Sequence, residues 1–176
     1  MHGVPGSHGP GASLPRQSEG SVTLRRLNAG RLDLIVISVG RNGGEPEDAE
    51  LIATDAIVWV GAVGGQAHER RPLPIAVSGP SCAWRAAAID ALERAGVPFR
   101  IAYSSANYAG QYAAAAAGLA VATFAASALD ERLRRLGPAD GLPRLPNYQL
   151  WLKVRDGAGT PALTALSEHV RASFAG

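Results

Sequence analysis

The sequence of 176 residues contains one cysteine, one methionine and few aromatic residues, which make up 6% of the chain. A single cysteine excludes an internal disulfide, and a reducing, cytoplasmic location is the expectation. No apolar run approaches the roughly 18 residues that suggest a membrane-spanning helix, and the N-terminus lacks the charged start and apolar core of a secretory signal. No membrane partner is therefore predicted.

Charge is also sparse, because charged residues make up 18% of the chain and the formal net charge is +2. A charge this small argues against a nucleic-acid backbone as the main partner. The sequence has no GxSxG, GxxxxGK[ST] or HExxH motif and no GxGxxG ahead of a helix pattern. We accordingly predict no cofactor and no metal site.

Hydrophobic residues account for 47% of the sequence, which is enough to bury a core. The first 20 residues differ from the rest, since they hold five Gly and three Pro with hardly any large apolar side chain. Such a stretch cannot offset the entropy of ordering. A flexible tail is predicted for residues 1–20, and its His2 and His8 lack the neighbours of a metal site.

Strand and helix patterns alternate after this tail, which predicts an α/β fold with parallel strands joined by helical crossovers. The last helix is predicted to turn Leu163, Leu166, Val170 and Phe174 inward. Strands are predicted at 32–37, 56–62, 74–78, 99–103, 119–124 and 148–154, and helices between 22 and 30, 81 and 96, 107 and 117, and 161 and 174.

Two strand-to-helix turns rich in hydroxyl groups are candidates for binding a small carboxylate, because helix N-termini at the carboxyl ends of strands attract anions. They are Ser78–Cys82 and Ser104–Asn107. Ser81 and Ser105 have an alternative role as helix N-caps, and the residues do not separate capping from binding.

Cys82 follows the first of these turns, where a helix dipole favours a thiolate. A nucleophilic role needs a base, and neither His68 nor His169 lies in a position that suggests one, so packing is the favoured interpretation. Arg85 is either a solvated side chain or part of an anion pocket, and the same two interpretations apply to Arg41. The three tryptophans, Trp59, Trp84 and Trp151, are predicted to pack in the core.

The order of these elements carries a resemblance to a known family. After the strand PLPIAV come the turn SGPS, the residues CAWR, a helix ending in ERAG, the strand PFRIAY, the turn SSAN, an Ala-rich helix and AGL. This succession resembles the second lobe of the effector-binding domain of LysR-type transcriptional regulators. The pieces LRRLNAGRLDLIVI, IVWVGA and LPRLPNYQLWLKV resemble flanking elements of the same domain, so the similarity extends from Ser21 to Phe174.

The resemblance implies a two-lobed α/β fold like that of type 2 periplasmic binding proteins, with a small effector in the cleft. By position, 21–62 and 148–176 would form the first lobe and 72–147 the second. A homo-oligomer assembled through this domain is expected. The resemblance assigns the effector-binding residues as Ser38, Val39, Gly40, Ser78, Gly79, Pro80, Ser81, Cys82, Ser104, Ser105, Ala106 and Thr123.

The sequence departs from the family pattern before Ser21, where no winged helix-turn-helix and no opening strand of the first lobe are found. DNA contact is therefore expected only through an N-terminal domain absent from this sequence, and the first lobe is expected to be incomplete. The sequence is consistent both with a truncated product of a longer regulator gene and with a degenerate relative of these regulators. The leading hypothesis is a ligand sensor, not an enzyme; the alternatives are a solute-binding protein, a small enzyme using Cys82, and a fragment that pairs with full-length regulators through exposed strand edges.

Overall fold

The computed structural model describes residues 19–40 and 44–174. Most of the predicted tail, with His2 and His8, lies outside the described residues, as does Arg41. The predicted boundary at residue 20 is wrong by two positions, because Glu19 and Gly20 already belong to the first helix.

Four α-helices and seven strands are described in these ranges, with short 3₁₀ turns between some of them. Most predicted elements are confirmed, and β6 was not predicted because its segment, LRRL, lies in a polar stretch. The elements are α1 Glu19–Asn28, β1 Leu34–Gly40, β2 Glu50–Ala62, β3 Leu73–Val77, α2 Ala83–Arg94, β4 Phe99–Ser104, α3 Tyr108–Ala116, β5 Val121–Ala125, β6 Leu133–Leu136, β7 Asn147–Val154 and α4 Pro161–Phe174.

The strands form one mixed sheet in the order β1-β7-β2-β5-β3-β4, with β6 also paired to β2. Only β3 pairs in parallel, with β4 and with β5. The prediction of a parallel sheet is therefore wrong for β1, β2 and β7, which pair antiparallel. The unpredicted β6 also pairs antiparallel, with β2. Helical crossovers connect β3, β4 and β5, whereas the other strands return through connections that do not force a parallel arrangement.

Strand β2 is longer than predicted and joins two parts of the sheet. Residues 50–56 pair with β7, and residues 57–60 pair with β5. The three-stranded part consists of β1, β7 and the first half of β2, and the five-stranded part consists of the second half of β2 with β3 to β6. The change of partner after Ala56 makes this strand the connection between the two parts.

The five-stranded part has apolar packing on both faces, as expected for a sheet enclosed by crossover helices. Trp59, Ile75 and Leu92 belong to the cluster that α2 covers. Val60, Ala115 and Phe124 belong to the cluster that α3 covers. The residues that α3 buries in this cluster, Ala114 and Ala115, have small side chains.

The three-stranded part has its own cluster, formed by Leu27 of α1 with Ile35, Ile37 and Trp151. Trp59 and Trp151 are buried, which confirms the prediction for both. Trp59 donates its indole N–H to the carbonyl oxygen of Pro143 at 2.8 Å. The inward face predicted for α4 is wrong in part, because Leu166 and Phe174 are exposed while Ser167 is buried.

Candidate functional site

Two adjoining cavities lie at the N-terminus of α2. The large cavity has a volume of about 610 Å³ and is enclosed by α1, residues 36–40 of β1 and residues 81–84. The small cavity has a volume of about 170 Å³ and is enclosed by the first turn of α2, the start of α3 and β5. Together they form the cleft. Its walls come from both parts of the sheet, since β1 belongs to the three-stranded part and α2 to the five-stranded part.

The structure brings most of the predicted binding residues to this cleft. Gly79, Pro80, Ser104 and Ser105 lie in the two predicted turns but are not among the residues that line either cavity. Ser38, Val39, Gly40 and Ser81 line the large cavity, Ser78, Ala106 and Thr123 line the small cavity, and Cys82 lines both.

The first turn places Cys82 at the start of α2. Its backbone N–H donates to the carbonyl oxygen of Gly79 at 3.1 Å, and its own carbonyl accepts from the N–H of Ala86 at 3.1 Å. Cys82 is therefore the N-cap residue, and the alternative of an N-cap at Ser81 is wrong. The Cys82 side chain makes no capping hydrogen bond, so it does not satisfy the N–H groups of the first turn.

The helix that follows the second turn, α3, is also capped by a residue other than the expected Ser105. Asn107 caps α3, since its side-chain oxygen accepts a hydrogen bond from the N–H of Ala109 at 2.9 Å. The Ser105 hydroxyl instead accepts from the N–H of Asn107 at 3.1 Å, which closes a local turn. The carbonyl of Ser105 accepts from the side-chain amide of Gln111 at 2.9 Å. Ser105 thus shapes the turn that carries Ala106.

Trp84 occupies the boundary between the cavities and lines both of them. Its indole N–H donates to the Ser38 hydroxyl at 2.9 Å, and its ring centre lies 4.6 Å from that of Tyr148. The prediction of a purely structural core residue is wrong here, because Trp84 connects β1, α2 and β7. Its position in the first turn of a helix that follows a polar turn is a sequence signal for such a role.

Tyr148 continues this connection to Asp55, where β7 pairs with β2. Burial raises the pKa of Tyr148 to about 12, with further contributions from the charge of Asp55 and a hydrogen bond to it. Burial also acts to raise the pKa of Asp55, but hydrogen bonds from Ser127, Ala56 and Tyr148 outweigh it and hold that pKa below its ordinary value. The Ser127 hydroxyl donates to Oδ2 of Asp55 at 2.6 Å.

Arg85 lines the small cavity. The sequence alone did not decide whether its side chain is solvated or part of a pocket. One nitrogen of its guanidinium donates to the carbonyl oxygen of Ser78 at 2.9 Å. Among the described residues, no carboxylate lies within ion-pair distance of it. The small cavity therefore has a cationic group that no carboxylate of the described residues neutralises.

Cys82 has no basic partner in the part of the chain that the structure describes. His68 contacts Glu69, Arg134 and Asp140. The hydrogen bond described at His169 is one that its carbonyl accepts from Ser173. No cluster of three or more His, Cys, Asp or Glu side chains that could hold a metal ion is found within residues 19–40 and 44–174.

The family follows from the match of residues 14–175 to the model described as LysR substrate binding domain. The chain belongs to this family. It is 33% identical over 149 residues to the HTH-type transcriptional regulator DgdR of Burkholderia cepacia, covering 85% of this chain and 50% of that protein. It is 30% identical over 126 residues to the HTH-type transcriptional regulator PecT of Dickeya dadantii, covering 72% of this chain and 39% of that protein.

The fold of this LysR substrate-binding domain agrees with solved structures. The apo regulatory domain of HypT from Salmonella typhimurium superposes with a TM-score of 0.69 at 16% identity, over 88% of this chain and 78% of that one. The resemblance seen in the sequence is thus confirmed, as is the two-lobed fold. The chain spans about half or less of the length of the curated relatives it matches. None of the described helices is both long and apolar enough to cross a membrane.

Proposed function

We propose that this chain is the effector-binding part of a transcription regulator and that a small anionic metabolite binds in the cleft. The observation that carries the proposal is the position of the large cavity, whose walls are supplied by β1 of the three-stranded part and by the start of α2 on the five-stranded part. The small cavity adjoins it at Cys82 and Trp84. A ligand that contacts both walls favours one relative orientation of the two parts over others. Both curated relatives are transcriptional regulators, which points away from enzyme activity.

The proposal assigns residues 21–62 and 148–176 to the first lobe and 72–147 to the second. Trp84 then has a specific role, because it lies on the second lobe and donates its indole N–H to Ser38 of the first. Its ring also contacts Tyr148 on the strand that leads back to the first lobe. A ligand that displaces or orders Trp84 would therefore be sensed in both lobes.

The anionic character of the proposed ligand rests on two features of the cleft. Arg85 supplies a positive charge that forms no ion pair within residues 19–40 and 44–174. The N-terminus of α2 supplies backbone N–H groups and the positive end of a helix dipole. Both favour a carboxylate over a cation or a purely apolar compound.

Regulation itself would involve partners beyond the ligand. Both relatives are named as HTH-type regulators, and the match to this chain covers 50% of one and 39% of the other. We propose that DNA contact is made by a domain outside this chain, in the cytoplasm, and that copies of the effector-binding domain associate with each other.

A thermal-shift screen tests the proposed function, because a ligand that binds only the native state raises Tm. The panel contains small carboxylates, aromatic acids, amino acids and neutral analogues of each. We expect a shift with at least one anionic compound, and its loss when the small cavity is filled by Ala106→Trp. Ala113→Trp is the matched control, since Ala113 is exposed on α3 and lines neither cavity. A cooperative melt that no compound shifts would contradict the proposal.

A further inference from the structure

Strand β1 lies at one edge of the sheet and pairs with β7 alone among the strands that the structure describes. The N–H of Arg155 donates to the carbonyl oxygen of Asp33 at 2.8 Å, which continues the same antiparallel register. Hydrogen-bonded and non-hydrogen-bonded pairs alternate along an antiparallel ladder, so this bond fixes the direction of the backbone groups in β1. The residues whose N–H and C=O groups point away from β7 are Leu34, Val36, Ser38 and Gly40.

The large cavity borders this outward edge of β1. Consecutive residues 36–40 line it, although the side chains of neighbouring residues in a strand project to opposite faces of the sheet. A cavity that meets both faces lies along the edge of the strand, where the outward N–H and C=O groups are. Such a row of backbone donors and acceptors is complementary to another extended strand.

The edge of β1 lacks the features that keep strand edges from pairing. Charged residues, prolines and bulges protect such edges in native proteins. The seven residues of β1, LIVISVG, contain no charge and no proline, and their register with β7 is unbroken. The opposite edge of the sheet, β4, carries Arg100 and has an irregular register with β3. This contrast indicates that the edge of β1 is an interaction surface.

A second copy of β1 complements this edge in the antiparallel orientation. A two-fold axis at Ile37 pairs Val36 with Ser38 of the second copy, and the pairs on either side follow from the same register. Every outward N–H and C=O group between residues 34 and 40 then has a partner. Charge favours this occupant, because β1 carries none that would repel its own copy or attract a charged peptide. The nearest carboxylate, that of Asp33, already forms an ion pair with Arg155.

We infer that two copies of this chain associate by antiparallel pairing of their β1 strands about Ile37. The pairing joins the three-stranded parts of the two copies into one continuous sheet. It covers Val36, which is 41% exposed, and the side of the large cavity that residues 36–40 border. The inference rests on the proposed function, in which copies of the domain associate, and it names the surface that they use.

Sedimentation velocity over a range of concentrations tests the inference with two matched variants. Val36 and Ile101 are both 41% exposed and lie on opposite edges of the sheet. We expect the wild-type chain to form a dimer as its concentration rises. Val36→Lys should raise the dissociation constant of this dimer at least about tenfold, because each copy adds a like charge to the same strand pair. Ile101→Lys should leave it unchanged, and cooperative melting shows that each variant is folded.

A disulfide tests the register of the pairing. The chain has one cysteine, so Cys82→Ser supplies a background without thiols. Ile37 meets its own copy in a non-hydrogen-bonded pair, whose Cα atoms lie about 4.5 Å apart, within the range that a disulfide spans. Ile37→Cys in this background should therefore give a disulfide-linked dimer under mild oxidation. Val39→Cys is the control, because Val39 lies on the same face of β1 and meets residue 35 of the second copy.

A wild-type chain that stays monomeric at every concentration measured would overturn the inference. A dimer that persists in Val36→Lys, or that is lost in Ile101→Lys, would overturn it as well, and so would equal cross-linking of Ile37→Cys and Val39→Cys. Where one variant does not melt cooperatively, the other experiment decides. Effector binding is tested separately, since an anionic compound that raises Tm of a monomeric chain would support it while the pairing of β1 fails.

Discussion

Asp55 lies where β2 exchanges β7 for β5 as its partner, and its replacement by Asn tests how the two parts of the sheet are joined. Its Oδ2 accepts from the N–H of Ser127 at 3.2 Å and from the Ser127 hydroxyl at 2.6 Å. Its Oδ1 accepts from the N–H of Ala56 at 2.6 Å. Asn keeps one acceptor oxygen and loses the charge, so one of these sets of contacts is lost.

The expected loss follows from the charge on the acceptor. A hydrogen bond to a charged group contributes about 1.5–3 kcal/mol, so the free energy of unfolding should fall by about 2 kcal/mol in Asp55→Asn. For a chain of this size such a change lowers Tm by roughly 4–8 °C.

The loss should depend on pH in a defined direction. Burial opposes the charge of Asp55, but the hydrogen bonds to Ser127, Ala56 and Tyr148 lower its pKa overall. A lowered pKa in the folded state stabilises the protein at pH values above the unfolded pKa of about 3.9, and that stabilisation disappears as pH falls through the folded pKa. The difference between wild type and Asp55→Asn should therefore shrink in acid.

Urea unfolding followed by circular dichroism, at neutral pH and at about pH 3, measures both effects. Asp90→Asn is the matched control, since the Asp90 side chain is 61% exposed in its ion pair with Arg94. Exposed ion pairs contribute about 0–1 kcal/mol, so this variant should differ little from the wild type. A loss of stability in Asp55→Asn that is no larger than in Asp90→Asn, or that is the same at both pH values, would contradict this role of Asp55.

Three further predictions concern the same region. Trp84→Phe and Ser38→Ala should each cost about 0.5–1.5 kcal/mol, and the double variant should cost little more than either, because both remove one hydrogen bond. Tyr148→Phe should reduce the loss of stability on raising pH from about 10 to about 12, since the wild-type phenol is held neutral by burial and by Asp55. Gly110→Ala should destabilise despite the helix preference of Ala, because its Cβ would lie 2.6 Å from the hydroxyl oxygen of Ser105. Urea unfolding measures all three.

Each of these predictions has a contrary outcome. Additive losses in the Trp84→Phe and Ser38→Ala pair would show that the two side chains do not interact in solution. An unchanged alkaline loss in Tyr148→Phe would show that another group dominates there. A Gly110→Ala variant more stable than the wild type would mean that the turn at Ser105 shifts to accommodate the added Cβ atom at little cost.

Local sequence patterns were sufficient to predict most helices and strands. Gly30, Gly96 and Gly118 end their helices in the left-handed conformation that glycine favours, which is why the predicted stops at α1, α2 and α3 are confirmed. Buried strands such as β3 have continuous apolar runs that no polar residue interrupts.

The features missed by the sequence pattern depend on contacts between distant segments. The first half of β2 contains Thr54 and Asp55, so it does not look like a buried strand, and pairing with β7 is what extends it to Glu50. Trp84 has the composition of a core residue, and only its contacts with Ser38 and Tyr148 show that it borders the cleft. Arg85 could not be separated from a solvated arginine without the cavity that it lines.

We propose that a small anion binds between the two parts of the sheet. A titration of the ¹⁵N-labelled chain with the carboxylate that gives the largest thermal shift, followed through backbone amide resonances, tests it most directly. We expect the largest changes at residues 78–82, at Ala106 and Thr123, and at residues 38–40 on the opposite wall, all with one dissociation constant. Changes confined to one wall, or located away from the cleft, would contradict it.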